Sequence, residues 1–195
     1  VTAVKFFILI LALATSSRVF ADFERDPKPF WLEPKNQTRL NEREILVSVL
    51  NQDGRTSIKG VGLVRASLEK CFRFAQNYER LASFKGRFSD VHFDPTRRDL
   101  SLTVHLPFRK ERLKFHVTPG GQGRERFVEF EVLEGLGKGT AGLLLIEDLE
   151  RQDRQVRVSF QALTKQGEKF SWLLNLGIEA LLRHVANSLR FQLEE

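Results

Sequence analysis

From residue 87 to residue 163 the chain is a succession of strand-like runs, and their sidedness limits the fold more than any other feature. The runs are residues 87–93, 100–106, 112–117, 127–133, 141–149 and 156–163. Leu100, Leu102, Val104 and Leu106 alternate with Ser101, Thr103 and His105, and Val128, Phe130 and Val132 alternate with Glu129 and Glu131. Val156, Val158 and Phe160 alternate in the same way with Arg157, Ser159 and Gln161. A period of two sends successive side chains to opposite faces of a strand, so these runs predict a sheet with one oily and one wet face. The joints at residues 94–99, 107–108, 119–123, 135–139 and 151–154 are rich in Pro, Gly, Asp and Arg. Joints this short force neighbouring strands to run antiparallel, which gives a meander. Residues 141–146 are apolar at both parities, so that strand is expected to be covered on both sides or to lie beside a further segment.

An oily face needs a cover. Residues 45–50 and 57–64 flank the turn signal Asn51-Gln52-Asp53-Gly54 and predict a first hairpin. Residues 67–84 then show a helical period, with Leu68, Cys71, Phe72, Ala75, Tyr78 and Leu81 near one stripe and Ser67 as N-cap. The longest helical pattern is the last, residues 170–192. Its stripe is Leu174, Ile178, Leu181, Leu182, Val185, Leu189 and Leu193, opposed by Asn175, Glu179, Arg183, Asn187 and Arg190. The second half is too polar to span a bilayer, so the helix is expected to lie across the oily face of the sheet. Burying seven such side chains is worth on the order of 10–20 kcal/mol as an upper bound, enough to keep the helix docked.

Ahead of this domain the chain changes character. Lys5 precedes an apolar run from Phe6 to Ala14, and Val19-Phe20-Ala21 offers compact residues at the positions a signal peptidase reads. Residues 1–21 therefore predict a signal peptide, and a periplasmic or secreted protein. A first residue of Val in a chain without Met, as literal translation of a GTG start gives, leads to the same bacterial expectation. Residues 22–43, interrupted by Pro27, Pro29 and Pro34, read as an extended Pro-rich arm that Phe30 and Trp31 pin to the domain of residues 44–195. Loss of Lys5 and Arg18 lowers the formal charge from +6 to +4, without the Lys/Arg clustering that nucleic-acid binding requires. Cys71 is the only cysteine, so an internal disulfide is impossible, and it reads as a small buried hydrophobe.

The chain carries little that points to chemistry. Pairing Phe93 with Leu100 and Val91 with Leu102 puts His92 opposite Ser101 on the wet face, and His105, His116 and His184 do not converge with it. Glu129 and Glu131 alternate with the oily face and read as solvated; Glu147, on the parity of Leu143 and Leu145, is a strand-end carboxylate or a polar anchor at a cavity mouth. The glycines at 135, 137 and 139 join two strands and open no helix, unlike a phosphate-binding loop. No catalytic residue, metal ligand or cofactor motif is expected. Phe occurs 17 times against one Tyr and two Trp, which favours a dry interior.

Three stretches resemble the START-like (SRPBCC) superfamily. Val64-Arg65-Ala66-Ser67-Leu68-Glu69-Lys70-Cys71-Phe72, leading to Asn77-Tyr78-Glu79-Arg80-Leu81, is similar to its strand and first helix. Leu106-Pro107-Phe108-Arg109-Lys110-Glu111-Arg112 is similar to its Pro-containing turn, and Trp172-Leu173-Leu174-Asn175 with Leu181, Val185 and Leu189-Arg190 to its C-terminal helix. Asn77 stands where Asp is usual, Ser171 where Pro is common, and Leu113 where Asp is expected. Over roughly residues 44–193 the resemblance implies an α+β helix-grip fold, an antiparallel sheet of about 7–8 strands wrapped around a long C-terminal helix. It also implies an apolar ligand, a lipid, quinone or similar molecule, held between sheet and helix, with transient contact with a membrane surface. The expected lining is Val104, Phe115, Phe130, Leu145, Phe160, Leu174, Ile178 and Leu181, with Arg124 and Lys138 in loops near the entrance as candidates for anionic head groups. Two alternatives stand beside this reading. A cyclase- or aromatase-type enzyme would need convergent ionisable residues inside the cavity, for which the sequence offers Glu147 and Arg112. A filled domain would act through its surface as a partner-binding module.

Overall fold

The computed structural model describes residues 29–84, 86–106, 109–150 and 155–195; the expected signal peptide and the joints at 107–108 and 151–154 lie outside these. The alternating runs form eight strands: β1 (Leu46–Gln52), β2 (Arg55–Arg65), β3 (Phe88–Asp94), β4 (Asp99–Leu106), β5 (Arg109–Gln122), β6 (Glu125–Glu134), β7 (Ala141–Asp148) and β8 (Gln155–Leu163). They make one sheet in the order β1-β2-β8-β7-β6-β5-β4-β3, with every neighbour antiparallel. The meander from β3 to β8 thus ends against β2 of the first hairpin.

Registers follow the apolar pattern. His92 faces Ser101 and Phe93 faces Leu100 as expected, but a bulge between Ser89 and His92, with Asp90 at φ 53°, makes the ladder skip Val91. The joint expected at residues 119–123 is shorter than the sequence suggests, because β5 runs on to Gln122. Glycine makes this possible: a Cβ on Gly120 would sit 2.4 Å from the Phe127 ring, which lies over the bare backbone of its cross-strand partner.

Among the described residues three helices dress the sheet: α1 (Pro34–Asn41), α2 (Leu68–Gln76) and α3 (Trp172–Glu194). The first corrects the expectation of an extended arm. Pro34 occupies the first helical position, where a missing N–H costs nothing, and a 3-10 turn at Phe30–Leu32 precedes it. Trp31 and Leu40 pack with Leu46, Val61 and Leu63 on the outer face of β1 and β2. Arg157 lies 6.0 Å over the Trp31 ring and makes a paired contact to Glu147 at 2.8 and 2.9 Å. The segment therefore covers one end of the outer face, close to the strand whose two apolar parities called for a neighbour. In the predicted helix of residues 67–84, α2 stops at Gln76 and a 3-10 turn, Tyr78–Ser83, continues. Ser67 caps α2, its hydroxyl accepting the Lys70 N–H at 3.2 Å.

Helix α3 starts at a second serine cap, Ser171, and runs to the chain end. Its side opposite the predicted stripe is not left to water. Arg183 donates to the carbonyls of Ile45 at 2.8 Å and Val47 at 3.2 Å, satisfying part of the open edge of β1, and Arg190 donates to the carbonyl of Arg43. The last turn is locked on three sides. Lys70 Nζ reaches the Leu193 carbonyl at 2.7 Å, the Arg65 N–H reaches Glu194 at 2.9 Å, and Arg43 pairs with the same carboxylate.

Candidate functional site: an apolar cavity under the C-terminal helix

Leu193 near the end of α3 packs with Val64, Ile146 and Val156, but along residues 182–189 the helix stands apart from the inward faces of β7 and β8. Between them lies a cavity of about 320 Å³, at the lower end of the roughly 300–1,000 Å³ typical of small-molecule sites. Its floor is Val158 and Phe160 of β8 with Leu144 and Ile146 of β7, and its roof is Leu182, Val185, Ala186 and Leu189 of α3. Phe74 of α2, with Leu81 and Phe84 after it, closes one side, and Val47 of β1 with Ile45 just ahead of that strand closes the other. The walls are almost wholly carbon. Only Asn77, Tyr78, Cys71, Arg80 and Arg190 bring polar side chains to them.

Burial shifts Cys71 and Tyr78 in the wall. Cys71 is 3% exposed, and burial pushes its thiol up to about 11, against a small opposing pull from Lys70. That is an inert thiol, as its place in the helical stripe suggested. Burial also raises Tyr78 above the usual phenol range while Arg98 pulls it the other way. The Tyr78 ring packs 4.6 Å from Phe93, and its hydroxyl is buried without a hydrogen-bond partner among the described residues.

Of the eight residues expected to line the site, Phe160 does. Val104, Phe115, Phe130 and Leu181 come together next to it, in the packed cluster that fills the β3–β6 side of the grip around Tyr78, Leu102 and Val117. Phe130 joins the two regions: its ring stacks on Phe160 at 5.5 Å and lies over Gly142, where a Cβ would be 2.0 Å from it. Leu174 and Ile178 are half-buried on the first turns of α3 and are not part of the lining. Leu145 needs a correction. Gly142, Leu144 and Ile146 take the inward parity of β7, so Leu145 shares the outer face with Glu147. Both parities of that strand are apolar, and the sign of its facing is set by the glycine that accommodates Phe130.

The polar candidates also leave the cavity. Glu147 is tied to Arg157 on the outer face, and Arg112 is exposed opposite Thr103, so the two residues a cyclase-type site would need do not converge inside. Arg124 pairs with Glu150, and neither it nor Lys138 lines the cavity. Glu129 departs from expectation in another way: it is half-buried on the outer face, and burial raises its carboxyl above the usual range. His105 Nε2 meets Ser89 Oγ at 3.0 Å and His116 Nδ1 meets Asp99 at 3.2 Å. Among the described residues no three His, Cys, Asp or Glu converge as a metal site would require.

The residues missed by the sequence reading come from two sides: Ile45 and Val47 at the β1–β2 end, and Phe74 and Phe84 in and after α2. Three of the four roof residues, Leu182, Val185 and Leu189, belong in contrast to the periodic stripe.

No family model matches the chain, and no curated protein does. Solved structures do. A STAR-related lipid transfer protein from Xanthomonas axonopodis superposes with a TM-score of 0.61 at 17% identity, covering 77% of this chain and 94% of that one. A START superfamily protein from Mycobacterium smegmatis gives 0.56 at 12% identity over 71% of this chain and 97% of its own. An uncharacterised protein from Bacillus thuringiensis gives 0.54 at 10% identity over 71% and 99%. At such identities the likeness is one of fold. The chain has the START-like helix-grip fold that its three sequence stretches resemble.

Proposed function

We propose that this protein binds an apolar small molecule, a lipid, quinone or similar compound, in the cavity between the sheet and α3, after export to the periplasm or beyond. One observation carries the reading: a space of about 320 Å³ walled by Val158, Phe160, Leu144, Leu182, Val185 and Leu189 remains inside a sheet and helix that otherwise pack closely. Protein interiors are filled to crystal-like density, so an opening this size in an apolar core is a costly feature unless something occupies it. Desolvation supplies the affinity, at about 25 cal/mol per Å² of hydrocarbon removed from water. No covalent step is required of the protein. The description of the Xanthomonas structure as a lipid transfer protein is in keeping with such a ligand.

Export is supported by the apolar run and the Val19-Phe20-Ala21 site ahead of the domain. Passing contact with a membrane surface is supported by the first turns of α3, where Trp172 is 69% exposed and Leu173 and Leu176 stand beside it. Tryptophan prefers the interface between head groups and water.

Native mass spectrometry of the protein purified from cells tests the reading. A co-purifying lipid or quinone, released by organic extraction, is the expected result. A chain that stays at its bare mass and takes up neither fatty acids, fatty alcohols nor quinones would leave the cavity without a purpose.

A further inference from the structure

The rim of the cavity has a sign. Two of its lining residues carry charge, Arg80 and Arg190, both are cationic, and no carboxylate lines it. Arg80 sits on the 3-10 turn after α2, exposed, with its guanidinium 4.6 Å over the Phe74 ring. That stacking holds the group at the apolar wall without neutralising it. Among the described residues it has no carboxylate partner. Arg190, on the penultimate turn of α3, donates to the carbonyl of Arg43 and to Asn187 Oδ1 at 3.0 Å, both uncharged acceptors. Glu194 is near enough to feel its charge but accepts its hydrogen bonds from Arg43 and from the Arg65 N–H. Asn77 adds an amide to the same rim. A purely apolar ligand would leave both guanidinium groups at the edge of a hydrocarbon-filled space without an anionic partner.

Building on the apolar-ligand reading above, we propose that the natural ligand is an amphiphile with an anionic head, a carboxylate or a phosphate monoester. Its hydrocarbon lies in the cavity and its head between Arg80 and Arg190. Guanidinium groups match both heads through paired N–H donors, and charge-assisted hydrogen bonds are about twice as strong as neutral ones.

The experiment is displacement of Nile red from the full chain by palmitic acid, hexadecyl phosphate, hexadecanol and hexadecyltrimethylammonium, which share a tail and differ in head. Palmitic acid or hexadecyl phosphate is expected to bind about tenfold or more tightly than hexadecanol, one charge-assisted contact's worth, and the ammonium least well. Whichever anion binds better tells carboxylate from phosphate. Arg80→Gln should narrow the gap between anion and alcohol, and Arg80→Gln with Arg190→Gln should close it, each variant being read as its own ratio of anion to alcohol affinity so that any general loss of binding cancels. An unchanged circular dichroism spectrum shows that the variants remain folded; an anion-to-alcohol ratio that survives in the folded double variant overturns the assignment of the head to these two residues. Equal binding of acid and alcohol by the unmodified protein overturns the head-group inference and leaves the apolar cavity intact. If neither the dye nor any of the four ligands enters, the apolar-ligand reading falls and this one with it.

Discussion

Single side chains decide how the two ends of the grip are held. Thr56 is fully buried where the β1–β2 turn meets the approach to α3. Its hydroxyl donates to Asn51 Oδ1 at 2.7 Å and accepts the Phe170 N–H at 2.8 Å, while its own N–H reaches Thr164 Oγ1 at 2.8 Å. Val has nearly the same shape and keeps the backbone N–H bond, but loses both hydroxyl bonds. Thr56→Val should therefore cost about 1–3 kcal/mol, the penalty for stranding buried polar groups, read as a lower urea midpoint at unchanged slope. Cys71 makes a different test of burial. With its thiol raised from 9.0 to about 11, the folded chain holds that proton more tightly than the unfolded chain does. The resulting stability is fully present below pH 9 and fades as pH climbs through 11. At pH about 8, scarcity of thiolate alone should slow iodoacetamide labelling of the folded chain about a hundredfold relative to the unfolded chain, since each pKa unit is a factor of ten. Equal rates in both states would mean that the helix stripe around Cys71 is open.

At the scale of elements, α3 is asymmetric: Leu193 is buried in its last turn, and Trp172, Leu173 and Leu176 are exposed in its first two. The C-terminal lock runs through Glu194. Burial alone would raise that carboxyl, but the Arg65 N–H and Arg43 hold it below its ordinary 4.5. Its contribution to stability is present above pH 4.5 and is lost as pH falls through the lower folded value. Wild type should accordingly exceed Glu194→Gln in stability at neutral pH, and the two should converge in acid; a constant gap from pH about 7 down to about 2 would show the lock to be indifferent to protonation. The other end predicts surface behaviour. Trp172→Ser with Leu176→Ser should cut co-sedimentation with phosphatidylglycerol-containing vesicles several-fold and leave ligand affinity in solution unchanged. The strands and both main helices were legible in the sequence because period two and period 3.6 are local properties. The facing of β7 was not, since both of its parities are apolar and only the Gly142–Phe130 contact chooses between them. Nor was the helical form of the Pro-rich segment, which depends on Trp31 and Leu40 finding the outer face of β1 and β2. Arg183 and Arg190, placed by the sequence opposite the apolar stripe, satisfy the carbonyls of an edge strand and its approach, a role that depends on where the helix lands.

For the whole molecule the consequence is a core divided in two. Around Leu102, Val117 and Val128 the grip is filled by a buried cluster with Leu181 packed against it; around Val158, Phe160 and Leu189 it is hollow, and Tyr78 stands at the boundary of the two. A hollow core forfeits dispersion contacts along its walls, so the empty protein should be less stable than its strand and helix content warrants. Two routes recover the loss. A ligand at a hundred times its Kd adds about 2.7 kcal/mol, which for a chain of this size raises Tm by about 5–10 °C. A side chain grown from the roof can do the same: Ala186 lines the cavity from α3, and Ala186→Phe would place a ring in the ligand's space. That variant should lose ligand affinity tenfold or more, about 1.4 kcal/mol, while its own Tm holds or rises. Pressure separates hollow from filled most directly, because unfolding volume scales with the void eliminated. Empty wild type should unfold at the lowest pressure, with Ala186→Phe and ligand-loaded wild type both shifted upward. If all three unfold at the same pressure, the space between sheet and helix is already filled in solution, and α3 sits closer to the sheet than its half-buried stripe indicates.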